Sequence, residues 1–178
     1  MKVKRLLKLV SAPVRMLFAY LYPVSYAKYI GVNCQNDLTI YGTSYYMFSA
    51  EPYLVTLGKN VHISRDVNFI CHDGSTLIFR EDVPDLEIAG EINVGNNVFI
   101  GTRALILAGV SIGDDCIVGA NAVVTKNIKN GSVVAGNPAR VIKTTKEFLE
   151  SAERKSLKIG HLKGREKIVA YKKIFNKK

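Results

Sequence analysis

A chain of 178 residues with 48% hydrophobic and 22% charged side chains suits one folded domain with appendages and excludes global disorder. Its net charge of +10 lies at the ends: residues 1–30 hold six Lys or Arg and no acid, and residues 146–178 hold eleven against four acids. Subtracting +6 and +7 leaves the middle at −3, so the ends suit a membrane surface or an anionic substrate, while nucleic acid is set aside because no recognition motif accompanies the charge.

Residues 1–30 read as a basic, apolar arm. Lys2, Lys4, Arg5 and Lys8 precede an apolar run, as in a signal peptide, but Arg15 interrupts it and no small-x-small site follows. Pro13, Arg15 and Pro23 also spoil the stretch of about 20 apolar residues that a membrane span needs. Two readings stand: a short helix capping the open end of a repeat scaffold, or a helix lying in a membrane interface. Val32 and Leu38, six apart, begin a degenerate opening coil. Residues 41–53 then leave the period and cluster Tyr45, Tyr46, Phe48 and Tyr53, as core or as a stacking surface for a sugar.

Leu57, Ile63 and Phe69 restart the spacing, with Val61 and Val67 as a second apolar row. Residues 75–91 break it again with Pro84 and the acids Glu81, Asp82, Asp85 and Glu87, and are predicted to form a loop extruded from the scaffold. From Val94 the period is unbroken: Val94, Ile100, Ile106, Ile112, Val118 and Val124 recur every sixth residue, with Val98, Ala104, Val110, Cys116, Ala122 and Ile128 four further on. A 3.6-residue period would drift out of phase within two or three steps, whereas this row stays in phase for six. Short strands with alternate side chains inward, separated by turns, produce it. Gly95, Gly101, Gly113 and Gly119, with Asn96, Asn97, Gly109, Asp114, Asp115 and Asn121, are read as turn residues tolerant of positive φ. Gly136, Asn137 and Pro138 turn the chain off the scaffold, Thr144 with Glu147 matches a capping box ahead of a helix in the basic tail, 143–178, and past Gly160 and Gly164 an amphipathic helix and a frayed end are both open.

The run INVGNNVFIGTRALILAGVSIGDDCIVGANAVVTKNI, continuing into NGSVVAGNPARVIK, resembles the hexapeptide-repeat acyltransferases, in particular their galactoside, maltose and xenobiotic O-acetyltransferase branch. The resemblance covers about 90 residues, Leu54 to Lys143. It implies an all-β fold: a left-handed parallel β-helix over 31–142, with an N-terminal helical arm and a C-terminal helix. It also implies a homotrimer with sites between subunits, and an acetyl-coenzyme A-dependent O-acetyltransferase acting on a saccharide, as in bacterial surface polysaccharide synthesis. N-acetylation of an amino-sugar or antibiotic is the nearest alternative, and a non-catalytic solenoid a more distant one. The expected location is the cytoplasm, peripheral on the inner face of the plasma membrane where the arm binds lipid.

In the same family a histidine followed by Asp and Gly, at the end of a strand before such a loop, is the catalytic base, and here that residue is His72. Its reference pKa near 6.5 suits removal of a hydroxyl proton. Cys71 is adjacent, but strand alternation points it to the opposite face, into the core. Asp73 either orients the imidazole, contacts the acceptor or is a plain turn residue. On the donor side the resemblance assigns Thr102 and Ala120 to the pantetheine arm, Thr125 and Lys126 to its far end, and Arg140 and Lys143 to the phosphates, for which cationic side chains are chemically apt. The three cysteines have no metal-ligand spacing, and no metal is expected.

Overall fold

A computed structural model describes residues 2–178, with side chains from residue 11 onward. The chain up to Thr145 is one compact unit and Lys146–Lys178 a second. The first opens with α1 (Lys2–Leu21) and α2 (Pro23–Tyr29). The arm is thus longer than a short helix, with Pro13 inside α1. Pro23 stands in the first turn of α2, where its missing N–H costs no bond. Ala27 of α2 is fully buried and joins Val32 and Leu38 in the main core.

Thirteen short strands come next, in chain order: β1 (Asn33–Cys34), β2 (Thr39–Ile40), β3 (Val55–Leu57), β4 (Val61–Ile63), β5 (Asn68–Ile70), β6 (Ile92–Val94), β7 (Val98–Ile100), β8 (Leu105–Leu107), β9 (Ser111–Ile112), β10 (Ile117–Val118), β11 (Val123–Val124), β12 (Ser132–Ala135) and β13 (Arg140–Thr144). They form three sheets, β1-β3-β6-β9, β2-β4-β7-β10-β12 and β5-β8-β11, and every neighbour within these is parallel. From β3 to β11 the chain visits the three sheets in strict rotation, so it coils with three sides. Val94 stacks on Ile112, Ile100 on Val118 and Ile106 on Val124, a turn of eighteen residues. Across the 75–91 segment the same stacking pairs Leu57 with Val94 and Phe69 with Ile106, 37 residues apart. The excess is extruded between β5 and β6, which leaves the coil in register on both sides.

Both sixfold rows point inward. Val94, Ile100, Ile106, Ile112, Val118 and Val124 are at most 4% exposed, and the offset row at most 7%. In the opening coil Asn33 pairs with Thr56 and Thr39 with His62, which places Val32 and Leu38 over Val55 and Val61 in the offset row. The aromatic stretch closes that first coil: Phe48 is buried and stacks on Phe69 with ring centroids 5.2 Å apart. Phe48 is therefore core.

The residues read as tolerant of positive φ divide into two kinds: some of them adopt it, Gly109 at φ 78° among them, and others do not. Left-handed corners are at Asn60, Asn97 and Asp115, and at Asp66, Arg103 and Asn121, with φ between 52° and 60°. The first set also bonds from coil to coil, Asn60 Nδ2 donating to Asn97 Oδ1 and Asn97 Nδ2 to Asp115 Oδ1. Gly95, Gly101, Gly113 and Gly119 do not have positive φ. They are needed because neighbouring coils approach closely: a Cβ on Gly101 would lie 2.6 Å from the Ala120 nitrogen, and one on Gly95 2.5 Å from Asp114 Oδ1.

After β12 a cis Asn137–Pro138 peptide precedes β13, which returns antiparallel along β12. The second unit carries α3, which begins at Thr145 and ends at Lys155, and α4 (Gly164–Ile174). The tail thus holds two helices, the second where the sequence left a helix or a frayed end open. No helix among the described residues is long and apolar enough to cross a membrane.

Candidate active site

His72 stands where β5 gives way to the extruded segment. Along this strand Phe69 and Cys71 are fully buried, so the residues between and after them turn outward. The base of the segment is pinned at the same point: Asp73 N–H donates to the Ile88 carbonyl at 2.8 Å and Gly90 N–H to the Cys71 carbonyl at 2.9 Å. The backbone beneath the imidazole is therefore tied down on both sides.

A carboxylate that the sequence reading missed holds the ring. Glu51 Oε2 lies 2.7 Å from His72 Nδ1 and also accepts from the Ser49 hydroxyl at 3.0 Å. An ionised carboxylate can only accept, so Nδ1 carries the proton and Nε2 keeps its lone pair. The bond to Glu51, followed by that residue's charge, raises the His72 pKa from its ordinary value, and Glu87 and Asp73 add to the effect. Reciprocally, the bond to His72 lowers the Glu51 pKa. Of the roles open to Asp73, the structure shows that of a turn residue: its Oδ1 accepts from the Ser75 N–H at 2.9 Å, capping the 3-10 turn Gly74–Phe79. Burial pushes the Cys71 thiol up to about 11, with Glu51 contributing, so the sulfur stays protonated near neutral pH.

A cavity of about 260 Å³ opens at His72, lined also by Glu51, Gly74, Thr76, Leu77, Arg80 and Glu87. Arg80 bonds to Glu87 across it. The other two histidines differ. His62 has Nδ1 against the Tyr41 hydroxyl and Nε2 against Asn60 Oδ1, leaving neither nitrogen free, and His161 is an exposed residue of the second unit. A larger cavity, about 620 Å³, includes Tyr45, Tyr53, Ser49, Tyr26, Tyr29 and Arg15.

The residues assigned to the donor are only partly brought together. Lys126 and Arg140 line one groove of about 240 Å³ with Val124, Asn127, Ala139 and Val141. Lys143 lies further along β13, opposite Val133, and Thr125 is exposed; neither lines the groove. Thr102 and Ala120 are exposed one coil apart, where the Thr102 carbonyl accepts from the Asn121 N–H at 2.9 Å. Within one chain this groove and the His72 cavity share no lining residue.

Residues 91–126 match the bacterial transferase hexapeptide family, described as six repeats. The chain is 40% identical over 128 residues to protein CapG of Staphylococcus aureus, covering 70% of this chain and 74% of that protein. It is 34% identical over 130 residues to the galactoside O-acetyltransferase of Escherichia coli, covering 70% of this chain but 60% of that longer protein, less than two thirds of its length. Among solved structures, a maltose O-acetyltransferase from Clostridium difficile superposes with a TM-score of 0.51 at 22% identity, over 77% of this chain and 85% of the other.

Proposed function

Because the chain belongs to the hexapeptide-repeat acyltransferases, we propose that it moves an acetyl group from acetyl-coenzyme A to a saccharide hydroxyl with His72 as general base. The three-sided coil is then the left-handed parallel β-helix of that family, and the saccharide is a precursor or unit of a surface polysaccharide. His72 Nε2 accepts the hydroxyl proton as the oxygen attacks the thioester carbonyl. The resulting imidazolium returns that proton to the departing thiolate as the tetrahedral intermediate collapses. The acetyl group passes directly between substrates, since a buried Cys71 with a raised pKa is a poor nucleophile. Glu51 fixes the tautomer and offsets the imidazolium charge that develops in the transition state.

The observation that carries this reading is the 2.7 Å contact between His72 Nδ1 and Glu51, which leaves Nε2 as the basic nitrogen beside a cavity. Lys126 and Arg140 suit the phosphates of coenzyme A, with Lys143 further along the same strand as Arg140, while Thr102, Ala120 and Thr125 supply partners for the pantetheine arm. The separation of groove and cavity within one chain favours a homotrimer in which the groove of one subunit completes the cavity of the next. Release of free thiol from acetyl-coenzyme A across a panel of saccharides, amino-sugars and antibiotics tests the reaction. Turnover only on amines replaces O- by N-transfer, and His72→Ala should lower kcat at least about a hundredfold with coenzyme A affinity retained. Full turnover by that variant eliminates the role given to His72.

A further inference from the structure

We propose that α1 docks in the interface of an anionic lipid bilayer, its apolar outer face immersed and the basic residues of the arm against headgroup phosphates. At 100° per residue, Met16, Tyr20, Leu17, Leu21 and Val14 occupy one continuous arc of about 160°. They are 45%, 68%, 57%, 55% and 69% exposed, and no charged residue falls within this arc between Pro13 and Leu21. Five adjacent large apolar side chains on a surface helix form a patch of the kind that marks an interaction site.

The inner arc is committed to the protein. Ala19 is fully buried, Arg15 Nη2 donates to the Tyr26 hydroxyl at 3.3 Å, and the Phe18 ring meets Tyr26 edge-on at 5.6 Å. Tyr26 belongs to α2, whose Ala27 is anchored in the core of the coil. The outer face is thus held outward by packing and cannot fold back onto its own domain.

Charge decides what covers it. The first acidic residue of the sequence is Asp37, whereas Lys2, Lys4, Arg5, Lys8, Arg15 and Lys28 precede it. Six cations without a single carboxylate repel the same arm of a second copy and attract an anionic leaflet, where each cation near the surface strengthens binding about fivefold. Exposed Tyr20 on this face matches the amphipathic rings favoured at the boundary between acyl chains and headgroups. Lys2, Lys4, Arg5, Lys8 and Arg15 within α1 are incompatible with spanning, so the helix lies in the plane.

The test is flotation of the full chain with vesicles of phosphatidylcholine alone or mixed with phosphatidylglycerol. Binding is expected to the mixed vesicles only and to weaken as salt shortens the screening length. Leu17→Glu and Leu21→Glu should each lower the partition coefficient at least about tenfold, with the circular dichroism spectrum and the sedimentation coefficient unchanged. A charge-reversed Arg5→Glu, Lys8→Glu variant, which leaves the apolar face intact, should lower it at least about tenfold as well. Wild-type protein that stays in solution with both vesicle types overturns the proposal. So does binding indifferent to lipid charge and salt. Leu17→Glu splitting an oligomer while vesicle binding persists would assign the face to a second copy instead.

Discussion

Replacing Glu51 by Gln removes one negative charge from the imidazole and keeps a group of nearly the same shape. In the native site the carboxylate lies 2.7 Å from Nδ1 and is the first cause of the raised His72 pKa. Gln accepts from Nδ1 only through its amide oxygen, which converts a charge-assisted bond into a neutral one of about half the strength. The change acts twice on kcat/KM, whose acid limb reports the base in the free enzyme. That limb moves to lower pH, toward the ordinary histidine value of 6.5. The plateau falls about tenfold to a hundredfold, because the imidazolium formed in the transition state loses its counter-charge. The two rate profiles therefore converge on the acid side and separate on the alkaline side. Stopped-time thiol release from pH 5 to 9 reads both effects. In a His72→Ala background the same change should cost nothing further, since Glu51 acts only through the ring. An acid limb and plateau both unmoved in Glu51→Gln would refute the coupling.

Arg140→Ala should weaken coenzyme A binding about tenfold to a hundredfold by calorimetric titration, the loss expected for one charge-assisted bond to phosphate; unchanged affinity removes the Lys126–Arg140 groove from the donor site. Gly101→Ala places a Cβ 2.6 Å from the Ala120 nitrogen and 2.8 Å from the Gly119 carbonyl carbon. Because both obstacles are backbone, the coils must part, and urea denaturation should show a loss of about 1–3 kcal/mol; a wild-type midpoint would refute close approach as the reason for that glycine.

The interior of the coil was legible from sequence because its side-chain burial is decided locally. Each strand of two or three residues points alternate side chains inward, so a sixfold row of Val and Ile reports the inner face without knowledge of what stacks on it. What depends on contact between coils was not legible. The glycines were read as conformational residues, yet Gly95 and Gly101 are required by atoms nineteen positions away, Asp114 Oδ1 and the Ala120 nitrogen. The left-handed corners fall on Gly109, on Asn and Asp and, at φ 60°, on Arg103, a residue type that gives no hint of such a conformation. The two helices of the tail were divided unevenly for a related reason: α3 comes after a recognisable capping sequence, while α4 starts at Gly164 with no side-chain cap.

Glu51 was hidden by the same kind of register. Phe48 bridges Phe69, a separation of 21 residues, and Glu51 meets His72 at the same separation. Once the first coil is indexed, the carboxylate can be placed from the histidine; before that, residues 41–53 show no period and Glu51 is one acid among fifteen. For Asp73 the sequence left a turn role and a functional role open, and the bond from the Ser75 N–H to its Oδ1 shows the turn role. The pairing also separates the pH at which the site is stable from the pH at which it works. His72, raised above 6.5, contributes stability below that value and loses it as pH climbs through its folded pKa; Glu51, lowered below 4.5, contributes above 4.5 and loses it as pH falls through its own. Their ion pair is therefore complete between about 4.5 and 6.5, whereas proton abstraction requires neutral imidazole, above the folded His72 pKa. On the proposed mechanism Glu51 attracts the ring least in the resting base and most once the substrate proton has arrived, which is the difference between ground state and transition state that lowers a barrier.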